Sequence, residues 1–304
     1  MKEIKSVGIV GMGALGLLFA NIIQENLEGF EVSFVMDEER FRKYQKENFT
    51  INNRPVSFKM KSSAEAGVCN LVIVAVKGTG LDSSIETIRK ITGNDTIIIS
   101  VLNGITSESV LEQHFGREKI ISTVAQGMDA MRFGSKLNYT KAGALHIGTA
   151  KGESSENLET LVAFFEKAGV PYKLEENIMR RMWSKFMLNV GINQTCMSFD
   201  ATYSKVLNDK ELFETFTGSM KEVISIANAE GIDLNEKDLQ QYVDIIKTLA
   251  PEGTPSMGQD RINKKKSEVE LFSGTVIKIA QKHGIQVPVN QMLYDRILEI
   301  EKTY

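Results

Sequence analysis

The 304-residue chain is poor in sulfur and imidazole: it has two cysteines, Cys69 and Cys196, and three histidines, His114, His146 and His283, all far apart. That excludes a disulfide framework and leaves no ligand spacing for a zinc site, so no metal is expected. Long apolar runs are missing as well. The longest, Leu71–Val76, falls far short of the ~20 residues that cross a bilayer. An excess of one charge is also missing: 36 basic residues face 39 acidic ones, which gives no electrostatic footprint for nucleic acid. The opening residues Met1-Lys2-Glu3-Ile4-Lys5 lead towards a strand-like segment with no apolar leader or cleavage site. What remains is a composition with 42% hydrophobic and 25% charged residues, values that fit a folded chain rather than a disordered one. The expectation is a soluble, cytoplasmic protein, long enough for two domains.

The first half alternates strand-like and helix-like segments. Ser6–Val10, Glu31–Met36, Leu71–Val76, Thr96–Leu102 and Lys119–Ala125 are continuously apolar rather than alternating, the pattern of strands buried on both faces of a parallel sheet. Helical stretches at Leu15–Gln24, Gly80–Ile91 and Ser107–Phe115 supply the crossovers. The expected fold class is α/β: an N-terminal Rossmann-type doubly wound parallel sheet followed by an all-helical C-terminal domain. Beyond about residue 170 the helical patterns are Ile178–Met197, Asp209–Glu230, Glu236–Leu249, Met257–His283 and Val289–Lys302. Gly169, Gly231 and Gly284 each close a helical stretch before an apolar residue, the form of a left-handed glycine cap. The boundary falls near residue 174, dividing 1–174 from 175–304. The basic run Lys264–Lys266 reads as a solvated helix face.

Directly after the first strand stands Gly11-Met12-Gly13-Ala14-Leu15-Gly16. In such a motif the first glycine makes the tight turn, the second lets the backbone approach a pyrophosphate, and the third packs helix against strand. The helix start then offers free N–H groups and a positive dipole end. A dinucleotide is therefore expected. Asp37 ends the second strand, where a carboxylate would bind the ribose hydroxyls of NAD and repel the 2′-phosphate of NADP. Asp37 fits equally well as the N-cap of Glu38–Lys46. Arg40, Arg42 and Lys43 follow closely enough to reach a phosphate, so NADPH and NADH both stay open.

A bound nicotinamide implies hydride transfer, and a reduced carbonyl needs a proton donor. No histidine lies in a polar cluster of the sequence, so lysine is the next candidate. Lys185, Asn189 and Asn193 recur every fourth residue, placing one ammonium and two amides on one helix face. Trp183, Phe186, Met187 and Val190 fill the other side. A merely wet face is an equal reading. Asn103-Gly104 closes a buried strand, where ligands sit in such sheets, although an ordinary turn has the same spacing. Ser256 alone reads as a helix cap, and Glu268 alone as a surface residue.

Taken together these residues resemble the ketopantoate reductase family over nearly the whole chain. The marks are the glycine motif, Val76-Lys77, Asn103-Gly104, the hairpin-like Gly143–Gly148, Trp183-x-Lys185-x-x-x-Asn189-x-x-x-Asn193, Ala201-Thr202-Tyr203, Pro255-Ser256-Met257-x-Gln259-Asp260, and Ser267-Glu268-Val269-Glu270 with Ser273-Gly274. The resemblance implies a substrate cleft between the two domains and reduction of 2-dehydropantoate to (R)-pantoate with NADPH, a step towards pantothenate and coenzyme A. It implies Lys185 as general acid, with Glu268 binding the substrate's hydroxyl end and orienting the lysine. Asn103, Asn189, Asn193 and Ser256 would hold the substrate's polar groups. Gly11, Met12, Gly13, Ala14, Leu15, Gly16, Asp37, Lys77 and Asn103 would line the cofactor.

Three positions depart from the family pattern. Gln194 stands where a proline is common, Pro255 where many members have serine, and Asp37 where many NADPH users have arginine. The alternatives are a reductase of another 2-oxo acid on the same scaffold and a non-catalytic dinucleotide sensor. A helical C-terminal domain is compatible with a homodimer, although no exposed apolar heptad marks an interface.

Overall fold

The computed structural model describes residues 3–304. Met1 and Lys2, with which the N-terminal segment read for a leader begins, lie outside the described residues. The chain divides into two compact units, one ending at Ile178 and the other running from Met179 to Tyr304.

In the first unit the elements follow as β1 (Ser6–Val10), α1 (Ala14–Asn26), β2 (Glu31–Met36), α2 (Glu38–Tyr44), β3 (Phe49–Ile51), β4 (Arg54–Val56), β5 (Lys59–Ser62), β6 (Cys69–Val74) and α3 (Leu81–Ile91). Next come β7 (Thr92–Ser100), α4 (Ser107–Phe115), β8 (Ile120–Met128), β9 (Met131–Phe133), β10 (Lys136–Asn138), β11 (Ala142–Gly148), α5 (Ser155–Ala168) and β12 (Tyr172–Leu174). An eight-stranded sheet has the order β12-β11-β8-β7-β6-β1-β2-β5. From β8 to β5 every pairing is parallel. The order reverses between β1 and β6, the switch point of a doubly wound sheet.

The continuously apolar strands serve two cores at once. Val7, Ile9, Leu71, Ile73, Ile97 and Ile99 pack with Leu17, Phe19, Leu161 and Phe165 on one face. Val10, Val72, Val74 and Ile98 pack with Ile85, Ile88 and Leu111 on the other. Each such side chain, fully buried, contributes about 1.5–3 kcal/mol. The sheet is not wholly parallel, however. The segment expected to be hairpin-like, Gly143–Gly148, belongs to the single strand β11, which runs antiparallel to β8. A second, four-stranded sheet, β4-β3-β10-β9, was not foreseen. Its strands are three residues long, too short for a period-two pattern to register.

The second unit contains α6 (Ile178–Phe199), α7 (Tyr203–Asn208), α8 (Lys210–Ala229), α9 (Glu236–Lys247), α10 (Ser256–Ile262), α11 (Thr275–His283) and α12 (Pro288–Glu301). A Cβ at Gly191 would lie 2.6 Å from Met220 Cγ and 2.8 Å from the Phe216 ring, so glycine sets how closely α6 meets α8. Gly169, Gly231 and Gly284 all have positive φ. In each case the following N–H reaches back five residues: Val170 to Phe165, Ile232 to Ala227 and Ile285 to Ala280. These are the glycine caps that the sequence announces.

One expected helix is broken. Met257–His283 splits into α10, an irregular stretch with Lys264 at φ +49°, a π turn at Glu270–Gly274, and α11. Lys264–Lys266 is therefore an exposed loop, not a helix face. The cause is tertiary: the Ser267 N–H and hydroxyl both donate to Glu301 Oε1, at 2.8 and 2.6 Å, and pull the chain away from helical geometry. No helix among the described residues is long and apolar enough to cross a membrane.

Candidate active site

Two places carry the expected chemistry, one in each unit. In the first, β1 runs into the glycine loop. Gly11 has φ +115°, and a Cβ there would lie 2.5 Å from the Ala75 carbonyl, so only glycine fits. A Cβ at Gly16 would lie 2.1 Å from the Gly11 carbonyl oxygen, which is the close helix-on-strand contact. Gly13 differs. A Cβ there would meet only the Ala75 oxygen, at 3.4 Å, an ordinary contact. The protein's own packing does not demand glycine at 13, and the backbone there is open to the approach of a ligand. Gly13 is also the N-cap of α1, with no side-chain cap and no acidic residue in the first turn. The Ala14 and Leu15 end of α1 thus keeps its N–H groups and dipole for an anion. Met12 turns its side chain inward, 5% exposed. The loop fits the pyrophosphate of a dinucleotide.

Val10, Val74 and Ser100 are in register across β1, β6 and β7. The residues just beyond them, Gly11, Lys77 and Asn103, therefore stand at the carboxyl edge where doubly wound sheets bind ligands. Lys77 is exposed and begins a short turn, and Asn103 precedes Gly104, whose φ is +91°. Asp37 adopts its capping role: Oδ1 accepts from the Arg40 N–H at 2.8 Å, and Arg40 Nη1 lies 3.4 Å from Oδ2. Its side chain keeps 48% exposure.

Sequence reasoning missed two buried polar groups here. Gln126, late in β8, has a buried side-chain oxygen without a partner. Glu108, in the first turn of α4, accepts from the Ser107 hydroxyl at 2.9 Å, and burial pushes its carboxyl up to about 7. Neither had a signal in the sequence, because their surroundings come from distant segments.

In the second unit, Lys185, Asn189 and Asn193 project from successive turns of α6. On the other side of the helix, Trp183 and Phe186 meet edge to face at 6.0 Å, with Met187 and Val190 buried beside them. Asn193, 4% exposed, donates from Nδ2 to Asn189 Oδ1 at 3.4 Å. Its own Oδ1 accepts from the Ser256 hydroxyl at 3.0 Å and the Met257 N–H at 3.2 Å. Ser256 was expected as a cap, but the N-cap residue of α10 is Pro255, which has no side-chain acceptor. Asn193 caps α10 from another helix instead, and Ser256 is thereby bonded to the α6 face. Gly258 completes the turn, since a Cβ there would lie 1.9 Å from Thr254 Oγ1.

Glu268 is not a surface residue: it is 9% exposed and lies two residues before the π turn that begins at Glu270, a feature that often marks functional sites. Gln194, the departure from the family pattern, is fully buried and accepts from the Ser273 N–H of that turn at 3.1 Å. Its amide nitrogen donates to the Val190 carbonyl at 2.8 Å.

All three histidines have polar partners that lie far away in sequence: His114 Nδ1 is 3.4 Å from Arg89 Nη2, His146 Nδ1 is 2.5 Å from Glu175, and His283 Nε2 is 2.5 Å from Glu230. Burial pushes the thiols of Cys69 and Cys196 up to about 11 and about 12, so neither is a thiolate nucleophile at neutral pH.

Comparison with known proteins agrees with this layout. Residues 7–152 match the family model "Ketopantoate reductase PanE/ApbA", and residues 177–301 match "Ketopantoate reductase PanE/ApbA C terminal". A 2-dehydropantoate 2-reductase of Streptococcus pyogenes is 24% identical over 239 residues, covering 78% of each chain. The crystal structure of 2-dehydropantoate 2-reductase from Geobacter metallireducens superposes with a TM-score of 0.85 at 25% identity, covering 97% of this chain and 99% of that one. D-mandelate dehydrogenase, solved with NADH and anilino(oxo)acetate, has the same fold, with a TM-score of 0.87 at 20% identity and 98% coverage of both chains. The chain belongs to the ketopantoate reductase family of oxidoreductases and has its Rossmann-type fold for a nicotinamide dinucleotide.

Proposed function

We propose that the chain reduces 2-dehydropantoate to (R)-pantoate, with residues 1–174 as dinucleotide domain and 175–304 as substrate domain, a division within a few residues of the two compact units. The observation that carries this reading is the hydrogen-bonded row Asn189–Asn193–Ser256 on the same helix face as Lys185. An ammonium beside neutral donors and acceptors suits a small anion with a carbonyl and a hydroxyl group.

When bound, the nicotinamide supplies the hydride. Lys185 holds a proton on Nζ and passes it to the carbonyl oxygen, and its charge stabilises the developing alkoxide. Glu268 receives the substrate's hydroxyl end and orients Lys185. Asn103, Asn189 and Ser256 bind the carboxylate and the remaining polar atoms. Asn193, whose oxygen already serves Ser256 and Met257, acts by holding them in place. Gly11, Met12, Gly13, Ala14, Leu15 and Gly16 seat the pyrophosphate, with Lys77 and Asn103 flanking it. Asp37 favours NADH, because its half-exposed carboxylate leaves room for ribose hydroxyls and opposes a 2′-phosphate.

Replacing Lys185 by Met tests the reading. The expected result is a kcat lower by about 10²–10⁴ with dinucleotide affinity unchanged; near-normal turnover would remove Lys185 from the mechanism. The same fold in D-mandelate dehydrogenase supports a second reading, reduction of a different 2-oxo acid with NADH. Under that reading ketopantoate ranks below another 2-oxo acid as substrate.

A further inference from the structure

Arg132 lies in the middle of β9, on the edge of the four-stranded sheet. Its guanidinium nevertheless belongs to the glycine loop. Nη1 donates to the carbonyl of Met12, between Gly11 and Gly13. Nε donates to the Gly134 carbonyl at 2.7 Å. The group also lies over two rings, 5.6 Å from Tyr44 and 5.8 Å from Phe49. Tyr44 ends α2, the helix that Asp37 caps, and Phe49 begins β3. A single side chain thus ties the loop, the helix after β2 and the small sheet together.

The electrostatics of Arg132 are incomplete as the chain stands. The residue is half-buried, and none of the described carboxylates lies within ion-pair distance of it. Two carbonyls and two ring faces recover part of the lost hydration. They do not neutralise the charge. Half-buried guanidinium groups are ordinarily matched by a carboxylate or a phosphate, whose two oxygens fit the fork of N–H donors. No acidic residue occupies the first turn of α1 either, so the positive end of that helix adds to the charge that Arg132 brings to the loop.

We infer that Arg132 is a cofactor-binding residue: its guanidinium fixes the Met12 peptide and supplies positive charge to a phosphate of the dinucleotide. This rests on the reading of the glycine loop as a nicotinamide dinucleotide site. It also gives the small sheet a purpose, as the scaffold that delivers this charge to the loop. The charge comes from a strand nearly a hundred residues beyond Asp37, so the acidic end of β2 does not by itself decide between NADH and NADPH.

The test is equilibrium binding of NADPH and of NADH, followed by nicotinamide fluorescence, to the wild-type chain, Arg132→Gln and Arg132→Lys, with melting temperatures alongside. Arg132→Gln is expected to weaken binding of at least one dinucleotide by about tenfold or more, with the gap from wild type narrowing as salt is added. Arg132→Lys, which keeps the charge, is expected to lie between the two. A loss confined to NADPH assigns the charge to the 2′-phosphate, and an equal loss for both assigns it to the pyrophosphate. A folded Arg132→Gln chain with wild-type affinity for both dinucleotides overturns the inference. So does a loss of affinity that salt leaves unchanged and Arg132→Lys fully shares. If the wild-type chain binds neither dinucleotide, the reading of the glycine loop fails instead.

Discussion

The glycine loop of the first unit and the α6 face of the second are built by different means. The loop is a matter of backbone: Gly11 and Gly16 are glycines because the protein itself leaves no room for a Cβ, whereas a Cβ at Gly13 would make only an ordinary contact, which under the proposed reading leaves that room to a phosphate. Those demands are local, so they appear as a fixed spacing within six residues. The α6 face works through side chains. Asn193, which its spacing puts on the face of Lys185 and Asn189, is tied to Ser256 and Met257 from a distant segment. A backbone site is written in one short motif, whereas a side-chain site is spread over the chain and assembled by packing.

Substitutions can break this contrast or sharpen it, and they are ordered here by their expected effect on stability. Gly11→Ala combines a positive φ with a backbone overlap, and should cost about 2–6 kcal/mol, seen as a large drop in melting temperature. Glu108 ranks next. Its carboxyl titrates at about 7 in the fold, above its value of about 4.5 in an unfolded chain. The stability contributed by its protonated form is complete below about pH 4.5 and is lost as the pH rises through 7. Glu108→Gln should therefore abolish a decline of up to about 3 kcal/mol between pH 5 and 8, measured by denaturant titration at each pH.

Asn193→Ala removes the cap of α10 and frees Ser256, with an expected cost of about 1–2 kcal/mol and a raised KM for the 2-oxo acid. Gly13→Ala should be the mildest for stability, under about 1 kcal/mol, yet weaken dinucleotide binding by about tenfold. Calorimetry and fluorescence titration on that one variant separate the two effects. Unchanged affinity would show that Gly13 is not reserved for a ligand.

Legibility in the sequence follows the same division. The parallel strands were readable because burial on both faces leaves unbroken apolar runs, and the three glycine caps because each pairs a left-handed glycine with an apolar neighbour. The small sheet was not, since each of its strands is only three residues long. The split of Met257–His283 was also hidden. Asn263 to Lys266 carries no proline or glycine, and what breaks the helix is Glu301, bonded to Ser267 from α12. Glu268 looked like a surface carboxylate for the same reason: its burial comes from packing that no local pattern encodes. Arg132 gave no signal at all, because its Met12 contact spans 120 positions.

The central claim is that these two sites belong to one reductase of a 2-oxo acid. Its most direct test is kcat/KM for the purified wild-type chain with ketopantoate and a panel of other 2-oxo acids, each with NADPH and with NADH, following loss of the reduced nicotinamide. The account predicts that ketopantoate is the best substrate and that the two cofactors lie within about a hundredfold of each other, since Asp37 opposes a 2′-phosphate by no more than a few kcal/mol. No dinucleotide oxidation with any 2-oxo acid would contradict it.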